Sequence, residues 1–204
     1  MTKEDNNLTI QLEESLKALE KQLDRHAVEP DYYGLLLSYN GVGCSYEALG
    51  DYQKALEYHL KALEMCEICC ADNPNHFNFV ICYNELGTIY QELGDYQKSL
   101  EYKLKALDIC KIVYADDNHP DLAIAYNNVG GTYGALGDYQ RSVEYLLKGL
   151  EVCKALYADE PSEENYIKLY RTYANIITSY ELMGDRETAI KYSKLQARLI
   201  IDII

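Results

Sequence analysis

Cys66-x-x-Cys69-Cys70 is the stretch of this 204-residue chain whose residue types and spacing best suit chemistry. On a helix, positions i, i+3 and i+4 share a face, so three thiols there could converge on a soft metal ion or act in redox chemistry. An internal repeat tests the idea. Cys66, Cys110 and Cys153 each stand 16 residues after a glycine (Gly50, Gly94, Gly137), whereas the registers of Cys69 and Cys70 hold Val113 and Leu156, and Tyr114 and Tyr157. Two of the thiols thus fall at positions that are apolar elsewhere, and the third recurs without its companions. A buried free Cys behaves as a small hydrophobe, so core packing is the expectation, and the paired spacing of a zinc site is missing. Cys82 shares its register with Ser38, Ala125 and Thr172, a small-residue position that also points to the core. The four histidines, His26, His59, His76 and His119, do not recur, and the register of His59 holds Lys103, Leu146 and Ser193. No ligand role common to the repeats fits them. The chain has no phosphate-binding glycine loop, nucleophile elbow or zincin helix. The expectation is a non-enzyme with no catalytic residue, no metal and no cofactor. The runner-up is a thiol-based metal or redox protein built on Cys66, Cys69 and Cys70.

The charge balance excludes further classes. With 19 Lys and Arg against 33 Asp and Glu, the net charge is −14. Binders of nucleic acid or of anionic membranes need the opposite surplus, so neither partner is expected. No apolar run approaches the ~18 residues of a spanning helix, and MTKEDNNLTIQ lacks the layout of a secretory signal. Seven Cys without a disulfide framework fit a reducing compartment, and a cytoplasmic location is expected. In a secreted chain, Asn7-Leu8-Thr9 would be a glycosylation acceptor.

The elements that must position any site come from the repeat. Leu-Gly-Asp-Tyr-Gln occurs at 49–53, 93–97 and 136–140, with a worn copy at Met183-Gly184-Asp185-Arg186. Leu-Lys-Ala-Leu occurs at 16–19, 60–63 and 104–107, and Leu-Lys-Gly-Leu at 147–150, so the N-terminal segment is a half repeat. Within each unit a first helix carries one apolar stripe: Tyr39, Val42, Gly43, Tyr46; then Tyr83, Leu86, Gly87, Tyr90; then Tyr126, Val129, Gly130, Tyr133. Gly50, Gly94 and Gly137 can close that helix in the left-handed conformation, and the next Asp can cap the second helix. The reading is all-α, nine helices, one domain over 1–204: a leading half repeat at 8–28 and repeats at 31–72, 75–116, 119–159 and 163–204. In the last repeat Ile177 replaces the small stripe residue and Arg186 the Tyr. The 21 Tyr, against 2 Phe and no Trp, fill inter-helix space at stripe positions.

The order Tyr39…Gly43…Tyr46…Gly50-Asp51-Tyr52…Ala55…Ala62 resembles the tetratricopeptide repeat. Asn118-His119-Pro120-Asp121 followed by Tyr126-Asn127-Asn128 is similar to the long-period variant of kinesin light chains, and the likeness covers about residues 12–200. It implies a right-handed superhelical solenoid whose concave groove, lined by first helices, binds peptides or partner proteins. Stacked helix pairs that cannot bury their stripes alone lead physically to a continuous curved surface of the same kind. Mapped onto this chain, the groove takes Asn40 and Glu47 in the first repeat; Asn84, Thr88 and Gln91 in the second; Asn127, Asn128, Gly131 and Gly134 in the third; and Arg171 and Asn175 in the fourth. Leu37, Cys44, Ile81, Glu85, Glu92, Ile124, Thr178 and Glu181 fall on the same surface. The recurring Asn can donate to and accept from an extended peptide backbone; alternatively it ties neighbouring repeats together. Arg171 is the one basic residue of that set against Glu47, Glu85, Glu92 and Glu181, so a neutral or basic peptide is expected, with Gly131 and Gly134 leaving room for a bulky side chain. The expected function is a non-catalytic protein–protein interaction scaffold gripping a peptide or helix. Its rival within the binding class is assembly through the convex face or the apolar end Leu199-Ile200-Ile201-Asp202-Ile203-Ile204. That end continues into a longer array, pairs with another copy, or tucks inward.

Overall fold

The computed structural model describes residues 3–115 and 118–201, with side chains described for 6–115 and 118–199. Among them lie nine helices and no strand: α1 (Lys3–Val28), α2 (Tyr32–Ala48), α3 (Tyr52–Cys69), α4 (Phe77–Glu92), α5 (Tyr96–Val113), α6 (Pro120–Ala135), α7 (Tyr139–Asp159), α8 (Glu163–Leu182) and α9 (Arg186–Ile201). The chain forms two compact units, Met1–Ile109 and Cys110–Ile204. Asn7 to Thr9 lie within α1. The end of the apolar C-terminal run, from 202 onward, lies outside the described residues, and so do Asp116 and Asp117.

A Gly-Asp pair makes the corner inside each helix pair. After α2, Gly50 sits at φ +75°, its N–H reaches Glu47 O at 2.8 Å, and the Asp51 N–H reaches Tyr46 O at 2.9 Å. That is a Schellman closure, which needs a left-handed residue that only Gly adopts without steric cost. Asp51 Oδ1 then accepts from Lys54 N at 3.2 Å and caps α3. Gly94-Asp95, Gly137-Asp138 and Gly184-Asp185 repeat the arrangement, so the worn fourth copy keeps the pair that matters. Gly137→Ala is expected to destabilise by about 1–2 kcal/mol, because it forces a Cβ into left-handed backbone. Gly131→Ala, in open space inside a helix, is expected to stabilise by roughly 1 kcal/mol. Chemical denaturation of the two variants checks both signs.

The tyrosine surplus has a structural explanation. In the first unit Tyr58 of α3 lies between Tyr39 and Tyr46 of α2, with ring centroids 6.3 and 5.5 Å away, and Tyr102 lies likewise at 5.9 and 5.6 Å from Tyr83 and Tyr90. In the second unit the triads are Tyr126–Tyr145–Tyr133 and Tyr173–Tyr192–Tyr180. Lys61 and Lys105 extend over the central rings of the first-unit triads at 4.8 and 5.0 Å. Each triad joins the two helices of a pair by aromatic contact worth about 0.5–1.5 kcal/mol per ring pair beyond area burial.

The glycine of each first-helix stripe makes a second kind of contact. A Cβ at Gly43 would lie 2.7 Å from the His59 ring, one at Gly87 2.8 Å from Lys103 Cγ, and one at Gly130 2.7 Å from Leu146 Cγ. The missing side chain of the first helix is therefore replaced by a large one from the second helix, 16 residues on. The first unit packs Leu19, Leu35 and Val42 at its N-terminal end; the second packs Ala123, Leu146, Leu150, Cys153, Leu169, Tyr173 and Ile176.

Candidate functional site

The first-helix face carries the residues expected to bind, and the structure sorts them by register. Asn40, Asn84 and Asn127 immediately follow the first tyrosine of their triads; the fourth repeat has Ala174 there, and its Asn175 is shifted by one residue into line with Asn128. The ladder is thus two rows, about 100° apart around a helix. The first row turns toward the protein. Asn40 Oδ1 is 3.2 Å from His59 Nδ1, and Asn127 Nδ2 donates to Thr172 Oγ1 at 2.8 Å, joining α6 to α8. Asn127 thus joins neighbouring repeats, whereas Asn40 bonds within its own repeat. Asn84 is half-buried on α4.

In the second unit, Ile124, Asn127, Asn128, Lys168, Arg171 and Asn175 line a surface pocket of about 230 Å³. Arg171 and Asn175 are exposed, Asn128 is half-buried, and Gly131, one turn further along α6, has nothing within 4 Å of where its Cβ would be. Gly134 is more restricted, since a Cβ there would meet Ser142 Oγ at 3.3 Å. Lys168 was not among the expected groove residues, because the likeness mapped only one basic side chain there; it holds Glu164 at 2.6 Å, and its ammonium adds a second cation to this pocket.

In the first unit the same face is acidic. Glu47 and Glu85 are half-buried, and burial raises both carboxyl pKa values, with Glu92 adding to the effect at Glu47 and Glu47 at Glu85. Cys44 lies among them, its thiol pushed up to about 11 by burial and then by Glu85 and Glu47. Gln91 accepts from the buried Lys103 ammonium at 2.6 Å, so its amide oxygen is engaged from beneath. Thr88 is half-buried between these residues on α4.

The thiol cluster singled out by spacing differs from the expectation at one member. Cys66 and Cys70 are buried as core packing requires, but Cys69 is exposed, its Sγ 3.5 Å from Cys70 Sγ. Cys69 is the last residue of α3, and Val113, at the same register and the last residue of α5, is exposed as well. A shared hydrogen bond with Cys82 raises the Cys66 pKa, and burial raises that of Cys69 to about 11. Thiols so held stay protonated near neutral pH, the opposite of a nucleophilic site.

These observations define a class. Helix pairs closed by Gly-Asp corners, with a stripe glycine packed under a large residue of the second helix, are tetratricopeptide repeats. The tetratricopeptide repeat family model matches residues 11–68 and 80–155, and the chain belongs to that family, whose members generally serve as non-catalytic protein-interaction scaffolds. Among solved structures, BtubC (BKLC) from P. vanneervenii aligns with a TM-score of 0.74 at 17% identity, over 96% of this chain and 92% of that one. A Podosopora anserina kinesin light chain-like protein with nearly identical TPR-like repeats aligns with a TM-score of 0.72 at 18% identity, over 99% of both chains. The apo form of RapI gives 0.75 at 16% identity over 94% of this chain and 65% of that one. No curated protein matches the chain in sequence. No helix among the described residues is long and apolar enough to cross a membrane.

Proposed function

We propose that the chain holds an extended peptide, neutral or basic in charge, against its first-helix face, with the α6–α8 pocket as the anchoring point. The observation that carries this reading is the convergence of Asn128, Arg171 and Asn175 beside the exposed Ile124. Amide and guanidinium groups in that arrangement can bond the carbonyls and N–H groups of an extended backbone whatever its side chains, while Ile124 receives an apolar one. Gly131 leaves space for a bulky neighbour. Glu181 on α8 and the net charge of −14 disfavour an acidic ligand beyond the pocket itself.

A peptide-display selection on the wild type and on an Arg171→Ala, Asn175→Ala variant tests the proposal. Both side chains are exposed, so circular dichroism and melting should not change. The wild type should enrich a motif whose affinity falls about tenfold or more in the variant, a loss of roughly 1.4 kcal/mol. Adding acidic residues to the motif should weaken binding. A motif that survives the variant would move binding to the convex face or the C-terminal helix, and no enrichment would remove the peptide reading.

A further inference from the structure

The four histidines do not share one job. His26 Nδ1 accepts from Asp31 N at 2.7 Å, His76 Nδ1 from Asn78 N at 3.2 Å, and His119 Nδ1 from Asp121 N at 3.3 Å, so three of them bond backbone amides at helix starts. His59 is different. It is 0% exposed, held against Gly43, and its Nδ1 faces Asn40 Oδ1 at 3.2 Å. An amide oxygen can only accept, so the ring proton sits on Nδ1 and the lone pair on Nε2. Nε2 is buried and has no hydrogen-bond partner. A buried polar atom left in that condition is uncommon and asks for a ligand.

Donor atoms of the right chemistry stand close to the His59 ring. One atom from each of Cys44, Glu47, His59 and Glu85 lies within 4.8 Å of all the others. Cys44 and Glu47 are one helical turn apart on α2, Glu85 comes from α4, and His59 comes from α3. Around a tetrahedral zinc ion, with bonds of about 2.0–2.3 Å, neighbouring donors stand roughly 3.5 Å apart. The four atoms thus need to close by about 1 Å, which rotation of two Glu side chains and an exposed Cys can supply.

We propose that Cys44, Glu47, His59 and Glu85 form a site for one divalent transition-metal ion of the zinc type, with Asn40 as the outer partner that orients His59. The mixed donor set selects the class: imidazole and thiolate suit zinc, cobalt or nickel, whereas calcium and magnesium prefer oxygen alone. Asn40 fixes the imidazole tautomer, the usual task of a metal-bound histidine's outer neighbour. Burial raises the pKa values of Cys44, Glu47 and Glu85 and neighbouring acids raise them further, and a cation among these groups would offset both effects. Binding then releases the Cys44 proton and any proton held by the two carboxyls, and affinity falls as pH falls. Cys44 is exposed and provides the route in. The proposal does not depend on the peptide reading.

Cobalt titration of the full chain, reduced and freed of metal by chelator, tests it. One equivalent of Co²⁺ should give an intense thiolate-to-cobalt absorption that zinc displaces. Cys44→Ser, an exposed change whose fold circular dichroism verifies, should abolish that absorption, and Cys69→Ser should leave it intact. Glu85→Gln should weaken binding about tenfold or more, and Asn40→Ala by about 10–100-fold, as for other outer partners. A wild type without the sulfur band overturns the proposal. So does a band that survives Cys44→Ser or disappears with Cys69→Ser, which would place the metal on the other thiol cluster.

Discussion

Gly130→Ile combined with Leu146→Ser is expected to leave a far more stable protein than the two single variants imply. Gly130→Ile alone drives a Cβ to 2.7 Å from Leu146 Cγ and 3.1 Å from the Ser142 carbonyl, overpacking that should cost about 3 kcal/mol. Leu146→Ser alone empties a fully buried site and places a hydroxyl in it, for about 3–4 kcal/mol. The pair recreates what the fourth repeat carries at the same registers, Ile177 on the first helix and Ser193 on the second, 16 residues apart as are Gly130 and Leu146. Volume removed on one helix is then returned by the other. Urea denaturation of the wild type, both singles and the double should give a coupling of about 2 kcal/mol or more in favour of the double. Additive losses would mean that each repeat fixes its backbone separation independently of this pair.

The same register shows what was legible in the sequence and what was not. Recurrence revealed the helix pairs, the corners at Gly50, Gly94 and Gly137, and the stripe tyrosines, because each of these does the same work in every repeat. It revealed the aromatic triads only in part. Tyr39 and Tyr46 share an obvious stripe, while Tyr58, the ring between them, stands 19 residues from Tyr39 on another helix, and helical periodicity does not connect the two. The residue that fills the glycine gap varies from His59 to Lys103 to Leu146, so recurrence discounts it, although its buried place is constant in those three repeats; in the fourth, where Ile177 replaces the glycine, the register holds the exposed Ser193. That variability argues against a ligand role for His59. A cluster that belongs to one repeat is made of departures from the pattern: Cys44 where the others have Thr88, Gly131 and Thr178, and Glu85 where they have Gly41, Asn128 and Asn175. The signal that finds it is two such departures on adjacent first helices over an unusual gap-filling residue. The asparagines show the opposite case. Their recurrence was real, but Asn40 and Asn127 are spent on internal hydrogen bonds, and the shift from Asn127 to Asn175 breaks the row.

Lys103→Leu should stabilise the protein at neutral pH, by a margin that disappears in alkali. Lys103 is 5% exposed, in the gap beside Gly87 that Leu146 fills beside Gly130. Burial lowers its pKa from 10.5 to about 8, partly offset by Glu92. In the unfolded chain the ammonium keeps its ordinary pKa, so between pH 8 and 10.5 the unfolded state binds more protons and wild-type stability rises with pH. Below pH 8 the folded protein carries the whole penalty of a buried ammonium, on the order of 3 kcal/mol from the size of the shift. Leucine removes that penalty and loses the hydrogen bond to Gln91, worth about 1 kcal/mol, leaving a net gain of about 2 kcal/mol at pH 7. Measuring the difference between the two proteins cancels the tyrosines, which also titrate near pH 10. The difference should be constant from pH 6 to 7, narrow from about pH 8 onward, and vanish or reverse above 10.5. A difference independent of pH would show that Lys103 stays fully charged in the fold, with the Gln91 and Glu92 side chains solvating its ammonium as well as water does.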